Sequence, residues 1–190
     1  VLEKPYPCLA IPAYVEADVI HGDIKPANIL IFRDDSNRYI AKVADFGYST
    51  VGTENGLVYL PKSVPWNAPE HHGRDFTFQS AMNTDTYSFG LVCLRILFED
   101  LLLQHVPKFS EAYEKELFLL GKNRIVEIPA TAGYEADLLP FAIDAVKSKE
   151  GLELSQKKTL ENLFNVTIAR DPNLRSDDFS ELQKLLSNDQ

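Results

Sequence analysis

Eight consecutive residues, His21-Gly22-Asp23-Ile24-Lys25-Pro26-Ala27-Asn28, place a carboxylate, an ammonium group and a side-chain amide within six positions. Seventeen positions after Asn28, a further carboxylate stands in Ala44-Asp45-Phe46-Gly47. Phosphoryl transfer draws on such a set: an acceptor for a hydroxyl proton, oxygen ligands for Mg²⁺, and a cation set against the phosphate charge. Taken singly, each Asp is better explained as a turn or cap residue. The set carries chemistry only if the fold gathers Asp23, Asn28 and Asp45 around one point.

The elements that would do so can be read from pattern. Ile29 to Phe32 and Tyr39 to Ala44 are short β-rich runs, and the polar connector Arg33–Arg38 reads as a turn, so a β-hairpin is expected. Its open end carries Asn28 on one strand and Asp45 on the other. Upstream, Pro5, Pro7 and Pro12 make residues 1–12 irregular, while Ala13 to Ile20 fits a short helix or an extended segment. From Asp45 to Glu70, weak periodicity and Pro61, Pro65 and Pro69 predict a long ordered loop, a kind that is usually functional or disordered.

Beyond residue 80 the pattern turns helical. Asp85 to Phe98 is apolar nearly all round and belongs at the centre of a helical domain. Ser110 caps an expected helix to Leu120, stopped by Gly121. Another is expected over Tyr134–Lys149, with Pro140 as a kink or a boundary. Ser155 opens an amphipathic helix with Leu160, Leu163, Phe164, Thr167 and Ile168 on one face, ending at Asp171-Pro172. The last spans about Asp178–Ser187 and turns Phe179, Leu182, Leu185 and Leu186 to one side. The expected fold is mainly α with one small hairpin.

Composition narrows the function classes. The 190 residues are 45% hydrophobic and 25% charged, which suits a single globular domain of residues 1–190. A net charge of −9 repels polyanions, and the only paired cations noted, Lys157 and Lys158, make no basic patch, so nucleic acid is not an expected partner. Cys8 and Cys93 form neither a disulfide framework nor a zinc site, which favours a reducing, intracellular setting, cytoplasmic or nuclear. The most apolar stretch, Leu91 to Leu103, carries Arg95, Glu99 and Asp100 and is too short and charged to span a bilayer. No secretory signal is visible, and the initial Val in place of Met reads as a fragment. These features assign no oligomeric state.

With those residues in view, the chain resembles the carboxyl-terminal lobe of the protein kinases. The family's H-R-D-L-K-P-x-N stands as His21 to Asn28, its D-F-G as Asp45-Phe46-Gly47, and its A-P-E as Ala68-Pro69-Glu70. Its D-x-W-S-x-G stands as Asp85 to Gly90, and its Arg before the last helix as Arg175. The resemblance, over roughly residues 15–187, implies a helical lobe with the catalytic loop on the hairpin, ATP and Mg²⁺ as cofactors, and a protein with a Ser or Thr acceptor as substrate. Asp23 then corresponds to the base that orients the acceptor hydroxyl. Lys25 corresponds to the cation on the transferring phosphate, and Asn28 and Asp45 to the metal ligands. Ser63, six positions before Pro69, matches a hydroxyl that touches the catalytic Asp and Lys in serine/threonine kinases. Glu70 and Arg175 resemble a buried ion pair, whose loss of one partner costs roughly 3–5 kcal/mol. They count as structural, as do His21, Phe46, Gly47 and Asp85.

Departures from the family pattern are informative. Gly22 replaces the Arg that usually precedes the base, so control by phosphorylation of Ser49, Thr50 or Thr53 is not expected. The connector between Asn28 and Asp45 is longer than usual, and Tyr87 replaces a Trp. None of the nine glycines makes G-x-G-x-x-G, and no strand lysine or partner glutamate is recognisable, so the amino-terminal lobe is missing and weak ATP binding by this fragment is expected. Two other classes compete with a serine/threonine kinase fragment: a pseudokinase-like binding module, and a small-molecule phosphotransferase of aminoglycoside or choline type. His71-His72 lack metal-site spacing and read as polar loop residues; Cys93 reads as a buried small hydrophobe, and the aromatics of Tyr87–Phe98 as core.

Overall fold

The computed structural model describes residues 19–52, 56–71, 75–105 and 137–187. Among these, four short strands precede four α-helices. Strand β1 (Val19–Ile20) pairs antiparallel with β4 (Thr50–Val51), and β2 (Ile29–Arg33) with β3 (Tyr39–Val43). The expected hairpin is present, in the register Ile29 opposite Val43 and Arg33 opposite Tyr39. Its closed end is tied by Asp34, which accepts from the backbone of Ser36 and Arg38 and from the Arg38 guanidinium. Within the expected long loop lie a 3₁₀ turn at Phe46–Tyr48 and strand β4, and an isolated bridge joins its Val58 to Phe76 beyond it.

Helix α1 (Phe78–His105) is the expected all-apolar element, but longer, and broken at Phe98, whose φ of −136° and ψ of 34° are not helical. Its start lies upstream of the apolar run because Thr77 Oγ1 accepts from the Ser80 backbone and supplies a cap. Leu91, Val92 and Leu94 are sealed from solvent, together with Thr86 on the same helix. Thr86 gives its hydroxyl to the Ser176 carbonyl, which removes the penalty for burying it.

Helices α2 (Leu138–Ser148), α3 (Leu154–Thr167) and α4 (Phe179–Ser187) pack around it, with Phe164 of α3 fully buried. Pro140 falls in the first turn of α2, a boundary rather than a kink, since an orphan N–H is lost there at no cost. A reciprocal pair of hydrogen bonds between Glu153 and Gln156 opens α3. That helix stops at Thr167, short of the expected Asp171-Pro172, because Ile168 leaves helical geometry and the next two carbonyls, Ala169 and Arg170, go to Arg175. The helix expected over 110–120 lies outside the described residues. Tight approach of α1 to α3 depends on Gly90: a Cβ there would lie 2.5 Å from Ile168 Cγ2 and from Thr167 Oγ1.

A second, smaller apolar cluster of Ile20, Val58, Leu60, Phe76 and Ala81 lies beside the main core. Among the described residues no helix is long and apolar enough to cross a membrane.

Candidate active site

The loop after β1 is fixed from below by Asp85 of α1. Its carboxylate accepts from the backbone N–H of His21 at 2.6 Å and of Gly22 at 2.9 Å, so a buried anion is satisfied by two main-chain donors. Gly22 turns the chain with φ of +80°, and a Cβ there would meet the Tyr48 carbonyl at 3.2 Å and Leu60 Cδ2 at 3.1 Å. The residue type is therefore imposed by the backbone and by its neighbours.

His21 is fully buried. Its Nδ1 accepts from the Asp23 N–H at 3.2 Å, which assigns the proton to Nε2, and Nε2 donates to the Ala44 carbonyl at 3.0 Å. The ring meets Phe46 edge-on, with centroids 5.0 Å apart. One imidazole thus links the Asp23 loop to the end of β3.

Asp23 gathers the polar side chains of the site. Oδ2 accepts from Lys25 Nζ at 2.7 Å and Asn28 Nδ2 at 3.1 Å, and Oδ1 from Ser63 Oγ at 2.5 Å. Lys25 also reaches Ser63 Oγ at 3.3 Å. The carboxylate is mostly buried, and charge-assisted bonds to both oxygens hold its direction. Asn28 Nδ2 donates as well to the Asp23 carbonyl at 2.8 Å. With its nitrogen so engaged, the amide leaves Oδ1 without a hydrogen bond among the described residues.

Asp45 joins through the backbone. Ala44 N–H donates to the Asn28 carbonyl at 2.8 Å, extending the hairpin by one rung, while the Ala44 carbonyl receives His21. The next residue, Asp45, is left-handed (φ 64°, ψ 70°), and its Oδ1 caps the following turn through the Gly47 N–H at 3.4 Å. Gly47 contributes this backbone donor, and Phe46 the ring against His21. An amide oxygen on Asn28 and a carboxylate on Asp45 are hard donors of the kind Mg²⁺ takes, with water and phosphate completing its shell. Among the described residues no three His, Cys, Asp or Glu side chains cluster for a metal; the donor types on Asn28 and Asp45 suit Mg²⁺, and what joins the two segments is the Ala44 main chain rather than a side-chain contact.

Glu70 and Arg175 form the expected pair, two parallel bonds at 2.5 and 3.0 Å. Arg175 also donates to the carbonyls of Ala169, Asn83 and Arg170 and lies 4.6 Å over the Tyr87 ring. Sequence reasoning missed Ala44, whose side chain has no chemistry and whose contribution is its peptide groups. His71 is a loop residue as expected, but it is buried, at 3% exposure against Phe76, which the sequence reading did not address. The residue type alone gives no signal of that burial.

A family profile described as protein kinase domain matches residues 9–186. Calmodulin-binding receptor-like cytoplasmic kinase 1 of Arabidopsis thaliana is 38% identical over 87 residues, covering 44% of this chain and 17% of that protein. PTI1-like tyrosine-protein kinase 2 of the same plant is also 38% identical over 87 residues, covering 44% of this chain and 22% of its own length. Wall-associated receptor kinase-like 21, again from Arabidopsis thaliana, is 27% identical over 121 residues, covering 60% of this chain and 18% of its own. The chain spans less than a quarter of the length of these relatives.

Proposed function

This chain belongs to the protein kinase family, and from that premise we propose that it carries the catalytic loop of a serine/threonine protein kinase using ATP and Mg²⁺. The observation that carries the reading is the Asp23 carboxylate, held by Lys25, Asn28 and Ser63 together.

Asp23 aligns the acceptor hydroxyl and takes its proton as the new O–P bond to the γ-phosphorus forms and the bond from that phosphorus to the departing ADP oxygen breaks, with Oδ1 exchanging the Ser63 hydroxyl for that of the substrate or sharing itself between them. In this scheme Lys25, 2.7 Å from Asp23, sets its ammonium against charge on the transferring phosphoryl group. Asn28 and Asp45 would hold the divalent ion, which supplies neutralisation of phosphate charge when bound. His21 keeps the two halves of the site at fixed spacing and moves no proton in this scheme. One relative's name carries "tyrosine"; the assignment to serine and threonine rests on Lys25 and on the Ser63 hydroxyl. Domain organisation follows the same proposal: residues 1–190 form one unit, the helical lobe of the catalytic domain.

The test uses the complete polypeptide that contains this chain, with Mg·ATP and four acceptors: a serine/threonine peptide, a tyrosine peptide, an aminoglycoside and choline. Transfer to the serine/threonine peptide, abolished by Asp45→Asn, is the expected result. Undiminished transfer by Asp45→Asn removes that residue from the metal site. Transfer confined to a small molecule refutes the protein-kinase assignment, and binding of a protein partner without turnover on any acceptor favours a binding module.

A further inference from the structure

The imidazole of His71 takes no part in the scheme above, yet it is 3% exposed and neither ring nitrogen makes a hydrogen bond among the described residues. A buried polar ring with two unpaired nitrogens tolerates the neutral form and strongly disfavours the charged one. Its ring tilts against Phe76, with centroids 5.2 Å apart. Phe76 exchanges both backbone hydrogen bonds with Val58, at 2.7 and 2.9 Å, and shares a cluster with Ile20 and Leu60.

That cluster seats both arms of the catalytic site. Ile20 leads directly into His21, Gly22 and Asp23. Leu60 fills the space above Gly22 and stands three residues before Ser63. We propose that His71 is a proton-sensitive latch: neutral, it stays packed under the Val58–Phe76 bridge, and protonation drives it out, freeing the segment that brings Ser63 to Asp23. The effect on phosphoryl transfer rests on the kinase reading; the latch itself does not.

The surrounding charges fit a group that resists protonation. Burial lowers its basicity most, and Lys62 adds to the effect, while backbone groups of Leu60 and of His71 itself lie near enough to offset part of it. Glu70 pulls the other way, but its carboxylate is taken by Arg175. A base weakened by folding contributes stability in full above the pKa of the free imidazole, about 6.5. That contribution is lost as the pH falls below this value.

The test follows the chain from pH 8 to pH 5 without any assay of transfer. The ring-proton shift of His71 reports its protonation, and the ring-proton shifts of Phe76, 5.2 Å away centroid to centroid, report the packing beside it. Exchange of the Val58 and Phe76 amides, corrected for intrinsic rates, gives the opening constant. His71 is expected to titrate below 6.5 while opening rises toward a limiting factor of about tenfold per pH unit, one proton's worth. His71→Phe is expected to flatten that dependence. Titration at or above 6.5 overturns the latch, as does an unchanged pH profile in His71→Phe. If that variant does not fold, the wild-type titration decides alone. A latch confirmed in a protein without transfer activity would leave this inference standing and the kinase reading refuted.

Discussion

Replacing Arg175 by Met asks what the buried guanidinium holds together. Its side chain has no exposure, while that of Glu70 is 23% exposed. Two of its five hydrogen bonds go to Glu70 and three to the carbonyls of Ala169, Asn83 and Arg170. Breaking a buried ion pair from one side costs about 3–5 kcal/mol. Partial access of water to Glu70 moderates that figure, but orphaned carbonyls cost about 1–3 kcal/mol each when no solvent replaces the donor. These terms overlap, so we expect Arg175→Met to destabilise by about 3–5 kcal/mol. Glu70→Gln keeps an acceptor, leaves the three carbonyl bonds intact and should cost about half as much or less. The double variant should not regain the loss, because the carbonyls stay unpaired. Urea unfolding of the three variants measures this directly. Equal losses from Glu70→Gln and Arg175→Met, or recovery in the double variant, would refute the claim that Arg175 acts mainly on the backbone.

Two further perturbations probe close approaches. Gly90→Ala places a methyl 2.5 Å from Ile168 and Thr167 atoms, and overpacking of that kind costs about 1–3 kcal/mol; thermal unfolding should show the loss, and an unchanged Tm would mean α1 and α3 sit farther apart. Gly22→Arg restores the family's usual residue yet should lower transfer activity and stability, since a left-handed side-chain residue costs about 1–2 kcal/mol and its Cβ must displace Tyr48 or Leu60. Raised activity in Gly22→Arg would show that the loop rearranges freely.

Much of this site was legible because its parts are local signatures. His21 to Asn28 and Asp45 to Gly47 bracket a hairpin whose strands show in the residue types. Strands β1 and β4 were not legible, since two-residue pairings leave no periodicity to detect. The end of α3 was misjudged for a different reason: the donor that stops it, Arg175, is a tertiary partner invisible to the helix's own pattern. Gly22 read in sequence as a missing cation. In the fold its positive φ and the Tyr48 carbonyl permit little else. His71 is the polar loop residue that the sequence suggests, and its burial against Phe76 comes from tertiary packing that the residue type does not announce.

Because Ala44 ties Asn28 to His21 through main-chain atoms, no exchange of its side chain other than for proline, which lacks the N–H, edits that link directly. What would sever it is slippage of β3 against β2, and their ladder resists this. The tip at Asp34–Arg38 lies at the far end of that ladder and closes on itself. Chain length can therefore grow or shrink at the tip while the chemistry stays aligned, which makes it a tolerant graft point for a reporter or an added recognition peptide.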